Sequence, residues 1–258
     1  MRTINHNDMK NILVLLFAMI LCIPASGKIK LNTDSIKYDV RLGYNIGGTA
    51  PVDMPASIRK LNKYQLQPNI VIAIAAKHHL SGRWGLMSGF RFENKNMEID
   101  ATVKNYFVDI VMGGQSLSGI YCGHNVTKVK EFMITVPLYV TFNINDELQL
   151  HAGPYASMLL SKEFSGYVYN GHLRVDRPTG PKVEMGGKDS AHGVFDFSDH
   201  MRRMQYGVTA GADWQFSDVW GIYGEINWGL TGIHQSGFKT VDPTLYPIFG
   251  SLGMIYKL

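Results

Sequence analysis

The sequence predicts an all-β protein, an eight-stranded antiparallel transmembrane β-barrel of the up-and-down type. Three observations predict this fold. Eight segments alternate between apolar and polar residues, which is the period of a β-strand. The connections between them are alternately long and short, and aromatic residues mark both ends of the segments, as in outer-membrane barrels. Charged residues make up only 18% of the 258 residues, whereas about 25–35% of a soluble protein's surface is usually charged.

An export signal is predicted at the start of the sequence. Lys10 precedes an apolar run of twelve residues, Ile12 to Ile23, and the small residues Ala25-Ser26-Gly27 follow it. The run is too short to span a bilayer as a helix, which takes about 17–25 residues. Because Cys22 leaves with the signal, the mature chain keeps only Cys122 and forms no internal disulfide. The predicted divisions are a signal peptide at 1–27, a lead-in at 28–36 and a barrel domain at 37–258.

The first three predicted strands lie at 37–47, about 66–80 and about 83–97. In the first, every second residue from Tyr38 to Ile46 is apolar and the residues between them are polar or glycine. The second contains the longest apolar run after the signal, seven residues from Ile70 to Ala76, which is too short for a membrane helix. A membrane location is therefore possible only as a closed barrel.

The fourth and fifth predicted strands, 132–144 and 148–160, form a hairpin around Asn145-Asp146-Glu147. Even positions from Phe132 to Ile144 are all apolar, while the odd positions between them are mostly small or polar. This alternation predicts a strand with two chemically different faces. The last three predicted strands, which share this alternation, are about 201–216, 220–233 and about 245–258.

The connections alternate in length, which places all the long ones at one end of the barrel. We expect the short turns to be periplasmic and the long loops to be extracellular, as in outer-membrane barrels. The predicted short turns are 81–82, 145–147 and 217–219, and the predicted long loops are 48–65, 98–130, 163–200 and 234–244.

The second face of each strand distinguishes a lumen from a water-exposed surface. From Thr135 to Asn143 this face carries no charge, although a soluble barrel would show Lys and Glu there. A narrow polar interior is therefore predicted, with the apolar face towards lipid. Eight strands leave an interior just wide enough for side chains to fill. Five charged residues on this face are predicted to pair across the lumen: Asp39, Arg41, Arg91, Glu93 and Asp213.

Aromatic residues form two bands, as expected where a barrel crosses the two membrane interfaces. The alternative is a soluble β-sandwich or lipocalin-like barrel with an ordinary aromatic core. The band at the short-turn end consists of Tyr38, Trp84, Phe142, Trp214, Phe216, Trp220 and Tyr256. The band at the long-loop end consists of Phe90, Phe92, Phe132, Tyr206, Trp228 and Tyr246.

Six stretches, taken in order, resemble the PorT-like outer-membrane β-barrel family common in Bacteroidetes-type bacteria. The resemblance covers most of the strands and little of the loops, and it implies an outer-membrane barrel of eight or so strands. It also allows a link to protein secretion. The chain ends in Leu258, where such barrels usually end in an aromatic residue. The stretches are LGYNIGG (42–48), ITVPLYVTF (134–142), AGPYASMLL (152–160), YGVTAGADWQF (206–216), INWGLTGI (226–233) and LGMIYKL (252–258).

The sequence offers no set of residues that predicts catalysis, a cofactor or a metal site. The best nucleophile and base on the interior face, Ser157 and His151, are six residues apart, or about 20 Å along a strand. The loop histidines His172, His192 and His200 match no compact metal-ligand spacing. No enzymatic activity is therefore predicted.

Charge and motifs limit the possible partners. A formal net charge of +4 without a run of Lys or Arg argues against nucleic acid. The segment 163–203, which contains the third predicted long loop, mixes both signs of charge, which suits a protein or glycan partner at the surface. Outer-membrane lipid and the barrel-assembly machinery are the other expected partners. Ser35 and Ser190 lie in triplets that resemble bacterial O-glycosylation sites, and whether they are modified is left open; the N-glycosylation motif at Asn125 is attributed to chance.

The predicted function is that of a non-enzymatic integral outer-membrane barrel with a filled lumen, whose external loops are available for contacts. The alternatives are a narrow channel or a barrel associated with a secretion system. A lipid-modifying barrel enzyme and a soluble lipocalin-like binder are weaker alternatives. The oligomeric state and any specific ligand are not predicted.

Overall fold

A computed structural model of the chain describes residues 36–52, 55–190, 192–238, 240–241 and 244–258. Residues 36–258 form one compact unit. The predicted signal peptide, almost all of the predicted lead-in, and Ser35 lie outside the described residues.

The structure is built from β-strands, which confirms the predicted all-β class, but its described residues form twelve strands rather than eight. A 3-10 turn, Ser198–His200, precedes the strand that begins at Met204. In the ranges given above, no helix is long and apolar enough to cross a membrane. The strands are β1 (Ile36–Pro51), β2 (Ile58–Gln65), β3 (Ile70–Ser81), β4 (Trp84–Asn94), β5 (Met97–Met112), β6 (Gln115–Asn143), β7 (Leu148–Val175), β8 (Lys182–Met185), β9 (Gly193–Asp196), β10 (Met204–Gln215), β11 (Trp220–Gly229) and β12 (Leu245–Lys257).

Eight of these strands are joined in a closed circuit of antiparallel pairings. The circuit runs β1–β3–β4–β6–β7–β10–β11–β12 and returns from β12 to β1. We call these eight the ring strands. The first and last of them pair over a long register, from Asp39 opposite Lys257 to Pro51 opposite Leu245. Such a circuit leaves no ring strand with an unpaired edge, which is the condition for strands to cross a bilayer.

The ring strands expose their apolar residues outward and bury their polar residues. On β6, Leu138 is 53% exposed while Thr135 is 2% exposed. The predicted alternation of faces is therefore confirmed, and the apolar face is the outer one. The strongly exposed apolar residues on other ring strands include Leu42, Ile74, Phe90, Ile226 and Leu252.

Aromatic residues of the two predicted bands lie on the outer face. Near the short turns, Trp84 contacts Phe142 with ring centroids 4.8 Å apart, and Trp220 contacts Tyr256 at 5.0 Å. At the other end of the ring strands, Phe92 and Trp228 are exposed. The rings therefore form two outward-facing bands separated by aliphatic side chains.

Strands β6 and β7 continue far beyond the ring. β6 has 29 residues and β7 has 28, whereas a transmembrane strand needs only about 9–11. At about 3.3 Å per residue β6 is roughly 95 Å long. The part beyond the ring pairs with β5, which in turn pairs with β2. We call β2, β5, β8, β9 and the distal parts of β6 (115–131) and β7 (161–175) the extension.

The extension has its own apolar core. Strand β9 pairs with β7 and also reaches β5, where Val194 lies opposite Val111. These pairings connect β5, β6, β7 and β9 around a shared interior. The buried residues there include Val103, Ile110, Tyr121, Val129, Phe164, Val168, Leu173 and Phe195.

The prediction that 48–65, 98–130 and 163–200 form loops is therefore wrong for most of these residues. They carry the apolar and β-branched residues that favour strands, and these residues cover one another rather than lipid. The turn between β5 and β6 is Gly113-Gly114, with φ values of 57° and 82°. A two-residue hairpin turn requires positive φ at both positions. The Gly-Gly dipeptide therefore indicates a hairpin in the sequence itself.

His234 makes this end of the protein sensitive to acid. Its ring lies edge-on to Phe164, with centroids 4.6 Å apart, and its buried Nε2 has no hydrogen-bond partner. Burial, together with the nearby charges of His200 and Lys162, lowers the pKa of His234 from 6.5 to about 4. The unfolded chain thus binds a proton more readily than the folded one. Local stability is fully present above pH 6.5 and is lost progressively as the pH falls to about 4.

We therefore expect hydrogen exchange in the segment 226–238 to rise between pH 7 and pH 5 after correction for intrinsic rates. His234→Gln should remove this dependence because the segment then has no proton to take up at that position. His79→Gln, at an exposed position of β3, is the control and should keep the dependence. If the hydrogen exchange of this segment in the wild-type protein did not change across this pH range, His234 would not be the source of acid sensitivity.

Candidate functional site

The interior of the ring is the most highly organised polar region of the described chain. Side chains from all parts of the circuit point into it, because alternate residues of each ring strand face inward. Ionised side chains there are almost completely buried, and a buried charge is tolerated only with a partner.

The first group of charges lies towards the short-turn end and is centred on Arg41. Its Nε lies 2.9 Å from Asp39, and its Nη2 lies 2.7 Å from Asp213 on the opposite side of the circuit. Lys77 Nζ lies 3.1 Å from Asp39 and 2.8 Å from Asp213. Arg41 also lies over the ring of Tyr223, 5.4 Å from its centroid. Two bases thus face two acids.

The second group is centred on Arg91, which pairs with Glu225 across the interior and with Glu93 at 3.2 Å. Lys95 Nζ lies 3.5 Å from the other oxygen of Glu93. The hydroxyl of Thr135 donates a hydrogen bond of 2.7 Å to Glu93. This group again contains two bases and two acids.

His151 joins the two groups. Its Nε2 lies 3.4 Å from Glu225, and its Nδ1 lies 3.5 Å from Asp213 without forming a hydrogen bond. Its ring stacks on that of Tyr139, with centroids 5.2 Å apart. The charges therefore form one connected column from strand to strand across the interior.

Little empty space remains beside the ion pairs of the column. The cavity bordered by Arg41, Arg91, Tyr223 and Glu225 measures about 20 Å³, roughly the room needed for one water molecule. The arrangement can hold opposite strands together at fixed distances.

The predicted pairing across the interior is confirmed for Arg41 with Asp213, and Arg91 also pairs across it, with Glu225. Asp39 and Glu93 pair instead with bases on their own or the adjoining segment. The sequence reasoning missed the partners that complete the column. Glu225 was not among the charges predicted to pair. Lys77 follows an apolar run, and Lys95 stands where a strand ends, so neither was assigned to the interior. Like Asp39 and Glu93, both lysines occupy alternate positions that face the interior. This alternation was the feature of the sequence that could have identified them.

The residues considered for chemistry are not brought together. His151 contacts Asp213 and Glu225, whereas the Ser157 hydroxyl hydrogen-bonds Thr135 at 2.7 Å. His200 stacks on Phe238 and His192 packs against Tyr167. The described ranges contain no group of three or more His, Cys, Asp or Glu placed to hold a metal ion.

Three motif residues have ordinary structural surroundings. Cys122 is a free thiol on β6, with Sγ 3.3 Å from the backbone nitrogen of Asn105. Asn125 is only 7% exposed, which leaves its amide inaccessible to a glycosylating enzyme. Ser190 is exposed, and its hydroxyl donates to the carbonyl of Gly187.

A closed circuit of antiparallel strands with an apolar outer face and a charged interior is the architecture of a membrane β-barrel. The chain belongs to the outer membrane protein beta-barrel domain family, whose model matches residues 30–235. This membership supports the predicted outer-membrane location. The finer assignment to the PorT-like group remains a prediction.

Several solved structures also match the chain, at low sequence identity. Ail of Yersinia pestis, in complex with the heparin analogue sucrose octasulfate, is 11% identical, with 87% of this chain and 99% of that chain covered and a TM-score of 0.39. CarO of Acinetobacter baumannii is 13% identical, with 85% and 97% covered and a TM-score of 0.41. Neisserial surface protein A is 12% identical, with 86% and 96% covered and a TM-score of 0.33. The family assignment does not depend on these similarities, and no functionally curated protein matches the chain.

Proposed function

We propose that this protein is a non-enzymatic, integral outer-membrane barrel of the PorT-like type, with eight membrane-crossing strands and a closed lumen. The eight ring strands are the membrane part, and their exposed apolar faces contact outer-membrane lipid. The short turns face the periplasm and the extension projects from the cell surface, following the usual asymmetry of such barrels. Export uses the predicted signal peptide, and the barrel-assembly machinery inserts the chain.

The proposal of a closed lumen rests on one observation, the column of buried ion pairs from Asp39 to Glu93. Opening a passage would separate Arg41 from Asp213 or Arg91 from Glu225, which lie on opposite sides of the circuit. Each of these charges would then need a new partner in a site already closed to water. The column therefore acts as an internal brace.

The extension is the part that we propose to meet partners. It consists of paired strands with a buried core, so it presents a formed surface. Its charges are mixed in sign, as in the pair between Lys182 and Glu184 and the contacts of Lys188 and His124 with Asp100. A protein or a glycan of mixed polarity fits such a surface better than a nucleic acid does.

The closed lumen is tested by conductance in planar bilayers. Pure wild-type protein, inserted at a density verified by gel quantification, is expected to give no steady open-channel current in 1 M salt. A general porin in the same bilayers is the positive control. Reproducible unitary currents from the wild-type protein would replace this proposal with the narrow-channel alternative.

A further inference from the structure

A second feature of the molecule is an apolar cavity of about 210 Å³ where the ring meets the extension. It lies between the end of β1, strands β2 and β5, and the residues that lead into β12. Leu61 on β2 lines it and is 52% exposed, so the cavity reaches the protein surface. Its apolar lining includes Ile58, Leu61, Met97, Val103, Phe164 and Leu245.

Packing alone does not account for this cavity. Protein interiors are close-packed and contain few voids larger than a water molecule. The cavity in the barrel interior, by comparison, measures about 20 Å³. The neighbouring core of the extension is built from the same residue types and is filled by Tyr121, Val168 and Leu173, none of which has any exposed surface. The chain thus packs tightly beside a space that it leaves open.

Two polar side chains border the cavity without a hydrogen-bond partner. They are Thr49, which is 3% exposed, and Asn125, which is 7% exposed. The hydroxyl oxygen of Thr49 and the amide oxygen of Asn125 are both buried and unpaired. Buried polar atoms are nearly always paired in native proteins, so two unpaired atoms around one cavity point to a partner supplied from outside.

The lining also defines what the ligand must be. None of the lining residues is charged, and an ion would lose its hydration without gaining a counter-charge. Apolar cavities of about 150 Å³ can bind benzene, so this one has room for roughly ten non-hydrogen atoms. A hydroxyl group both donates and accepts, and it can therefore pair with either the Thr49 hydroxyl or the Asn125 amide oxygen.

We propose that this cavity binds a small neutral amphiphile, a hydrocarbon of about ten non-hydrogen atoms that carries one hydroxyl group. The hydrocarbon part packs against the side chains of β2 and β5. The hydroxyl group pairs with the unpaired oxygen of Thr49 or of Asn125. This site is separate from the charged column and does not depend on whether the lumen conducts.

The test uses the full-length chain in lipid nanodiscs with 2-naphthol as the fluorescent probe. Its isostere 2-methylnaphthalene replaces the hydroxyl by a methyl group. The wild-type protein is expected to bind 2-naphthol at least tenfold more tightly than 2-methylnaphthalene, after subtraction of uptake by empty nanodiscs. The double variant Thr49→Val/Asn125→Leu keeps the volume of both side chains and should lose this preference.

A second variant fills the cavity instead of changing its polarity. Ala101 lines the cavity directly opposite Asn125 on the neighbouring strand, so Ala101→Phe should abolish binding of both probes. Gel migration of unboiled samples shows whether each variant has folded, and the double variant keeps the test decisive if Ala101→Phe does not fold. Equal binding of 2-naphthol by wild type and a folded Ala101→Phe variant would overturn the site. Equal wild-type affinities for the two probes would overturn the role of the hydroxyl group.

Discussion

Leu138→Arg is expected to destabilise the protein in the bilayer by about 2–4 kcal/mol. Leu138 lies at the middle of the ring portion of β6, on the apolar outer face, and is 53% exposed. In the membrane that exposed surface meets the hydrocarbon core, where an arginine has neither water nor a counter-charge. The loss is measured by equilibrium urea unfolding in lipid vesicles, together with gel migration of unboiled samples.

The matched control places the same substitution at a different depth in the membrane. Ile144, six residues further along the chain, is also apolar and exposed but lies at the turn after β6. Ile144→Arg should cost only about 0–1 kcal/mol, because an arginine there reaches the membrane interface. If Leu138→Arg were as stable as Ile144→Arg, the outer face of β6 would not be in the hydrocarbon core.

Arg91→Met is expected to destabilise the protein by about 3–5 kcal/mol, the usual cost of removing one partner from a buried ion pair. Arg91 pairs with Glu225 and Glu93, and all three side chains are at most 6% exposed. Without Arg91, Glu93 keeps Lys95, whereas Glu225 keeps contacts with His151 and with the side-chain amide of Asn227. Unfolding in urea, followed by the fluorescence of the four tryptophans, measures the change.

A rescue variant separates charge from packing. Arg91→Met/Glu225→Gln removes the uncompensated carboxylate, and we expect it to recover most of the lost stability. Lys130→Met is the surface control: its pair with Glu163 joins side chains that are 56% and 39% exposed, so its loss should cost only about 0.2–1 kcal/mol. A rescue variant no more stable than Arg91→Met would show that the arginine acts through its volume rather than its charge.

The ring portion of the fold was predictable because lipid imposes a strict rule on it. Each crossing strand must alternate between an apolar outer face and an inner face, and this alternation is visible from Phe132 to Asn143 without any alignment. Apart from β6 and β7, which run on into the extension, the bounds of the ring strands differ from the predicted ones by a few residues, as for β10, which covers 204–215. Pairing of the inner-face charges also followed from the sequence, since a buried charge requires a partner.

The extension could not be predicted by the same rule. Its strands cover one another rather than lipid, so their apolar residues appear in short patches interrupted by charges, as from Lys128 to Glu131. Long connections in outer-membrane barrels are usually loops, and these segments were therefore predicted to be loops. The cavity beside Thr49 and Asn125 was also beyond the sequence, because it forms where β1, β2 and β5 approach each other in space.

The continuity of β6 and β7 has a mechanical consequence. The two strands stay paired from Gly119 opposite Val175 in the extension to Asn143 opposite Gln149 at the short turn. No linker separates the outer portion from the anchored portion, and a one-residue register shift next to Phe132 marks their border. A force applied at the tip is therefore carried along the covalent chain into the barrel. It tilts the anchor in its bilayer instead of being absorbed by a hinge.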